Sequence, residues 1–463
     1  MVRERPARRF AHTLGLAVLL AWSTPASAQI LGAGRSTLPV GAGLPGGLGA
    51  PRIDPGGLAT PRAPITSALS FPAGISPLNA ADALAATPLS QVRRLTAARL
   101  LREHSDVIEA DDHGQPVVRG EILAVGIDRD TLARLRQAGF AVRSQNALGD
   151  LGIEAVVLGA PRGQSAVQAI GRLRALDPAG AYDFNHLYQQ AGVGAETSGA
   201  SKPPAPDVDA RGLRIGLVDG SAAQSRPALA RTRMVQRSFA PGGEQISAHA
   251  TAVASLIAGT AGPFHGSAPG ATLYVADVYG PTPTGGSAQA ISQALAWLAQ
   301  SKTPVINISL VGPSNLLLEA AVHALIARGI TLVAAVGNDG PAAPPLYPAA
   351  YPGVVAVTGV DAHGRVLPEA GRGTHVDFAA PGADMAAAGL DGGYVSVRGT
   401  SFAAPIVAGR LALLRARGSS AEALEALAHE AVDLGAPGPD PVYGRGLVGA
   451  EVRTDPAALR NAR

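Results

Sequence analysis

"PVINISLVGPSNLLLEAAVHALIARGITLVAAVGN", Pro304 to Asn338, carries two kinds of hydrophobic pattern in one stretch. "PVINISL" and "GITLVAAVGN" are short and almost continuously apolar, whereas "SNLLLEAAVHALIARG" between them is long enough for several helical turns. A short unbroken apolar run bounded by turn residues reads as a strand buried on both faces. Two such strands joined through a helix lie parallel, because a parallel pair needs a crossover of this length. The alternation recurs on either side. "RIGLVDG" (214–220), "TLYVADVY" (272–279) and "GVVAVTGV" (353–360) read as strands, and "GSAQAISQALAWLAQS" (286–301) as a helix. The expected fold is α/β, a parallel sheet flanked by helices on both faces. Sites in such sheets form outside the carboxyl ends of the strands.

Upstream the texture changes three times. "MVRERPARRF" is basic, "TLGLAVLLAW" is apolar, and Ala26-Ser27-Ala28 precedes Gln29, the layout of an export signal over residues 1–28. The apolar run is shorter than the roughly 20 residues a membrane span needs. Residues 29–88 are a Gly, Pro and Ala-rich leader with neither helical nor strand period. Residues 89–192 read as a small α+β domain. "VVRGEILAVGI" and "IEAVVLGAP" suggest strands, "DRDTLARLRQAGF" a helix capped by Asp, and "SAVQAIGRLRALDP" a helix with Val167, Ile170, Leu173 and Leu176 on one face. Residues 193–206 form a linker by composition, and the α/β domain is expected over 207–455.

Charge excludes some partners. The formal net charge of the 463-residue chain is +3, and from Lys202 onward there are 19 basic and 19 acidic residues. No field for nucleic acid is implied. There is no cysteine, so an exported protein here holds together without disulfides. No HExxH helix occurs, and His104, His265, His323 and His375 show no ligand spacing.

Three polar residues fall where the strand-end rule expects a site. Asp219 ends "IGLVD", His249 opens "HATAVASLIAGT", and Ser401 opens "SFAAPIVAGRLALL". A carboxylate, an imidazole and a hydroxyl are the parts of a relay in which the histidine takes the serine proton and the aspartate fixes its tautomer. Asn338, after "TLVAAVG", could donate to an oxyanion. Taken singly, an Asp after a strand, a helix-start His or Ser and an Asn-Asp-Gly are ordinary turn and cap residues. Pro405 fits a helix starting near Ser401, since first-turn N–H groups lack intrahelical partners.

The sequence resembles the subtilisin-like serine peptidases (subtilases). "GTSFAAPIVAG" (399–409) is similar to that family's serine block along its length, and "AAVGNDGP" (334–341) resembles its oxyanion-asparagine segment. "HGSAPGATLYVADVY", "YPAAYPGVVAVTGV", "VDFAAPG" and "YGRGLVGA" resemble further family segments, over about Pro206 to Val452. The resemblance implies that Asp219 orients, His249 is general base and acid, Ser401 is the nucleophile, and Asn338 with the Ser401 N–H forms the oxyanion hole. It implies a substrate strand at Ser309, Leu310 and Val311, with Gly337 beside it.

It also implies that residues 89–192 are a propeptide that assists folding and blocks the cleft, with cleavage between about Gly192 and Pro206; a permanent interaction domain is the competing reading. Protein or peptide substrates, the chain's own propeptide in cis and a secreted or periplasmic monomer follow. No cofactor is required. Structural calcium is common in the family, but no ligands are assigned.

Three departures stand out. Gly220 directly follows the aspartate and Ser221 takes the family's glycine position; Ala250 replaces a glycine after the histidine; and Val311 replaces a pocket glycine. Val311 suggests a narrowed pocket for small or medium apolar side chains before the cut. The other two leave open a binding protein on the same fold with impaired catalysis.

Overall fold

The computed structural model describes residues 89–148, 151–195 and 209–459. The expected export segment, the leader and most of the linker lie outside them. The first part is built from α1 (Leu89–Glu103), β1 (Ile108–Ala110), β2 (Pro116–Val125), α2 (Arg129–Gln137), β3 (Ala141–Leu148), β4 (Ile153–Gly159), α3 (Ala166–Leu176) and β5 (Ala181–His186). Its strands form a five-stranded antiparallel sheet. Asp128 caps α2 by accepting from the Thr131 N–H at 2.7 Å, and Ser165 with Gln168 makes a reciprocal capping box on α3.

The inward face of α3 is Ala166, Ala169, Ile170 and Leu173, and Leu176 is 48% exposed. This corrects the expected face. At about 100° per residue, a period of three drifts about 60° each step, so Val167 and Leu176 end on opposite sides of the helix.

The chain then makes β6 (Gln189–Gln190), β7 (Val193–Ala195), β8 (Arg214–Asp219), β9 (Met234–Ser238), α4 (Ala248–Ala258) and a hairpin of β10 (Thr260–Ala261) and β11 (Phe264–His265). β12 (Thr272–Asp277), α5 (Ala288–Gln300), β13 (Val305–Ile308), β14 (Leu310–Val311), α6 (Leu316–Ile326), β15 (Thr331–Ala335), β16 (Val355–Val360) and β17 (Val376–Pro381) follow. β18 (Met385–Ala388), β19 (Tyr394–Arg398), α7 (Thr400–Arg415) and α8 (Ser420–Glu430) complete the main elements. A closing 3-10 turn extends past the expected boundary at 455, and its Leu459 packs with Phe264 and Ala388.

Seven strands form one parallel sheet in the order β17-β16-β15-β13-β8-β12-β9. Apart from the edge strand β9, the strands feed two cores through their alternating side chains. Ile215, Leu217, Val333 and Val357 face α4 and α7, while Val218, Ile306, Leu332 and Ala356 face α5 and α6. The edge strand β9 was not expected from sequence; it is only partly covered and breaks the unbroken-apolar signature.

The face of the small sheet turned away from α2 and α3 is buried against α5 and α6. Its Leu123, Leu148 and Val157 share an apolar cluster with Ile291, Leu295 and Val322. Polar contacts seat the same surface. Asp183 accepts from the Leu316 N–H at the start of α6 at 2.8 Å, and Asn185 from the Gln289 N–H at the start of α5 at 3.2 Å. Unpaired helix-start donors find acceptors this way. Burial pushes the Asp183 carboxyl above its ordinary range.

Candidate active site

The sheet order reverses beside β8, and the carboxyl ends of β8, β13 and β15 converge there. Asp219 is the last residue of β8, Asn338 lies three past β15, and His249 and Ser401 are the second residues of α4 and α7. The structure brings all four together. His249 Nδ1 pairs with Asp219 Oδ2 at 2.7 Å, both side chains buried. His249 Nε2 is buried and has no hydrogen-bond partner among the described residues. The Phe402 ring packs against the imidazole with centroids 5.2 Å apart.

What sits between the other two residues is the chain itself. The Ala191 carbonyl accepts from Asn338 Nδ2 at 2.7 Å and from the Ser401 N–H at 3.1 Å. Asn338 is aimed there because its Oδ1 accepts from the Thr400 N–H at 3.1 Å. The approach also requires Gly399. Its φ is +136°, and a Cβ added there would lie 2.9 Å from the Ala191 oxygen and 2.7 Å from Gly192 Cα. The peptide held is therefore Ala191–Gly192, one bond upstream of the stretch expected from composition.

Extended backbone leads into and out of it. β6 pairs antiparallel with β14, Gln190 opposite Leu310 and Gln189 opposite Val311. The Tyr188 N–H donates to the Gly286 carbonyl at 2.8 Å. Downstream, β7 pairs antiparallel with β19. The first three residues of the expected linker are thus a strand, since main-chain pairing leaves no trace in composition.

Ala191 is buried in the cluster that holds Val311, Leu346 and Phe402. Val311 points into this region, its Cγ1 3.5 Å from where a Cβ on Gly337 would stand. Tyr188 is fully buried, and its hydroxyl donates to the Pro313 carbonyl at 2.6 Å.

Several supporting residues were not apparent in the sequence. Pro405 is the sixth residue of α7, past the first turn, so the earlier reason for tolerating it fails. Its missing N–H leaves the Ser401 carbonyl without its helical donor. The Ser309 hydroxyl supplies one at 3.0 Å and itself accepts from Asn307 Nδ2 at 2.8 Å. The Ser401 hydroxyl donates back to the Ser309 carbonyl at 3.1 Å.

The altered aspartate loop is anchored too. Ser221 donates to Asp277 Oδ2 at 3.1 Å, and that oxygen also accepts from the Gln245 N–H. Burial, with the Asp219 and Asp277 carboxylates nearby, holds the Tyr279 phenol well above its usual range. Despite Gly220, Ser221 and Ala250, the Asp219–His249 contact is made. Among the described residues no group of three or more His, Asp or Glu could hold a metal ion, so calcium gains no ligand assignment.

A second link crosses the cleft from α1. Arg93 Nε donates to Asp339 Oδ2 at 2.6 Å, next to Asn338, and the Asp339 side chain is 8% exposed.

The profile of the subtilase family (peptidase S8) matches residues 222–446, which include His249, Asn338 and Ser401 and begin three residues past Asp219. Subtilisin Savinase of Lederbergia lenta is 35% identical over 226 residues, covering 47% of this chain and 82% of that protein. An alkaline protease of Shouchella clausii is 35% identical over 226 residues, and the chain spans 58% of its length. Among solved structures, fervidolysin from Fervidobacterium pennivorans, described as a keratinolytic enzyme related to subtilisin, superposes with a TM-score of 0.64 at 20% identity. That match covers 62% of fervidolysin and 76% of this chain. The family match and relatives of this kind define a serine-type endopeptidase. The chain belongs to the subtilase family.

Proposed function

We propose that this endopeptidase is a self-inhibited precursor whose first substrate is its own Ala191–Gly192 bond. One observation carries the reading: the Ala191 carbonyl accepts from both Asn338 Nδ2 and the Ser401 N–H. These are the donors an oxyanion needs when a nucleophile adds to that carbon.

In this mechanism the Ser401 hydroxyl turns from the Ser309 carbonyl toward His249 Nε2, gives up its proton there and attacks the Ala191 carbonyl carbon. Asp219 fixes the imidazole with Nδ1–H inward and Nε2 free to accept, and stabilises the imidazolium. The tetrahedral oxygen stays on Asn338 and the Ser401 N–H. His249 then protonates the Gly192 nitrogen, the C–N bond breaks, and an acyl-enzyme on Ser401 remains for water to hydrolyse. Holding the bond in place within one chain supplies the positional part of the rate.

The small domain is the inhibitor in this reading. The contacts that present the bond before the cut keep residues 187–191 in the cleft after it, and Asp183, Asn185 and Arg93 hold the domain in place. In peptide substrates the residue before the cut is small and apolar, as Ala191 is, because Val311 and Leu346 wall its pocket. Export through residues 1–28, a monomeric enzyme and a secreted or periplasmic location complete the proposal.

The test incubates purified full-length protein beside its Ser401→Ala form. Shortening of the wild type alone, with a new N-terminus at Gly192, is the expected result. Shortening in both, or no shortening together with no labelling of wild type by a serine-directed fluorophosphonate, overturns it and favours the non-catalytic binding protein.

A further inference from the structure

The side chain just upstream of the held bond makes a contact that the relay does not require. Gln190 Nε2 donates to Asp219 Oδ1 at 2.8 Å and to Ser247 Oγ at 3.2 Å. The two amide hydrogens therefore meet two acceptors. The orientation is fixed, since an ionised carboxylate only accepts and the amide must turn its nitrogen toward it. Asp219 is fully buried, and its two oxygens divide the work. Oδ2 takes the His249 ring, while Oδ1 takes the Gly220 N–H at 2.8 Å and Gln190.

One departure from the family pattern, Gly220, shapes the site for this amide. Ser247 caps α4, its Oγ accepting from the Ala250 N–H at 3.3 Å, and it lies directly against residue 220. A Cβ on Gly220 would stand 2.7 Å from Ser247 Cβ and 3.4 Å from its Oγ. Glycine right after the aspartate is what lets the serine come close enough to share the amide. The displaced position, Ser221, is tied down by Asp277 instead.

We propose that the enzyme selects glutamine two residues before the cleaved bond, reading its amide with Asp219 and Ser247. The inference rests on the reading that Ala191–Gly192 lies in the position of a cleaved bond. A hydrogen bond to a buried carboxylate is stronger than one between neutral groups. A glutamate there faces a like charge, and a leucine leaves Oδ1 without its second donor. The contact also holds the carboxylate with Oδ2 toward His249, so glutamine acts on turnover as well as on binding. The expected preference for Gln over Leu is on the order of 10- to 100-fold in kcat/KM, with part of it in kcat.

The experiment uses processed enzyme and peptides Tyr-Gln-Xaa-Ala-Gly-Val that differ only at Xaa: Gln, Leu, Glu or Lys. Fastest cleavage between Ala and Gly for Xaa = Gln, with a lower kcat for Leu, is expected. A Ser247→Ala enzyme should show a smaller Gln-to-Leu ratio than wild type. Equal rates for Gln and Leu, fastest cleavage for Lys, or an unchanged ratio in Ser247→Ala overturn the inference while leaving self-processing intact. Cleavage of every peptide at another bond instead sinks the placement of the cut on which it rests.

Discussion

Replacing Ser309 by alanine should cost stability out of proportion to one buried hydroxyl. Ser309 and Ser401 are both completely buried, so no water reaches the groups left behind. The Ser401 carbonyl would lose the donor that stands in for the absent Pro405 N–H, and Asn307 Nδ2 would lose its acceptor. Each stranded buried group costs about 1–3 kcal/mol, so roughly 2–6 kcal/mol is expected for the pair. At about 2–4 °C per kcal/mol for a domain of this size, the middle of that range, about 4 kcal/mol, corresponds to a Tm loss on the order of 10 °C.

The measurement is calorimetric unfolding in a Ser401→Ala background, which keeps the chain intact and retains the carbonyl in question. The discriminating variant adds Pro405→Ala. Alanine restores an N–H at the position that reaches the Ser401 carbonyl, so the double change should recover about 1–2 kcal/mol of the loss, a coupling within the range of contacting residues. If the two changes simply add, or if Ser309→Ala melts with the parent, the substitution of hydroxyl for backbone donor is wrong.

Asn338→Leu in processed enzyme should lower kcat by about 10²–10³-fold with little change in KM, the size found when one oxyanion donor is removed from subtilisin itself. Val311→Gly should open the pocket beside Gly337 and raise kcat/KM for peptides with Phe before the cut at least tenfold relative to Ala; an unchanged ratio would place Val311 outside the pocket. Arg93→Ala should weaken inhibition of the processed enzyme by the separated N-terminal piece roughly tenfold, because it leaves the nearly buried Asp339 carboxylate unpaired; an unchanged inhibition constant would reduce that ion pair to an incidental contact.

The parallel sheet was legible because its strands are buried on both faces and so read as unbroken apolar runs: "VINI" and "TLVAA" leave little choice. Asp219 and Asn338 were legible as polar residues at or just past strand ends, and His249 and Ser401 as polar residues at the starts of apolar helices. What stayed hidden depends on pairings distant in sequence. Ser309 and Pro405 answer each other across α7 and β13, and neither residue alone signals it. Gln190 looks like any polar residue near a linker until β6 lies along β14. The face of α3 differs from the expected one for a simpler reason: residues spaced by three drift around a helix of about 3.6 residues per turn. Gly220 and Ser221 looked like a damaged motif because the sequence does not reveal Ser247 on one side and Asp277 on the other.

β6 and β7 place the held bond between two separate sheet edges, β14 and β19. A cut there would leave the two new ends with unequal grips. The upstream end is anchored by Tyr188 and the whole small domain, whereas the downstream end keeps only the three residues of β7. That end would also become an ammonium against the Phe402 ring, where a Cβ on Gly192 would already lie 2.6 Å from Phe402 Cε2. The new amine would sit at a partly exposed position, with only the short pairing of β7 to β19 holding it near the site. Once it leaves, the amine is no longer at hand to reverse the reaction. In the proposed self-cleavage the arrangement would work as a ratchet, with direction set by which severed end is free to move.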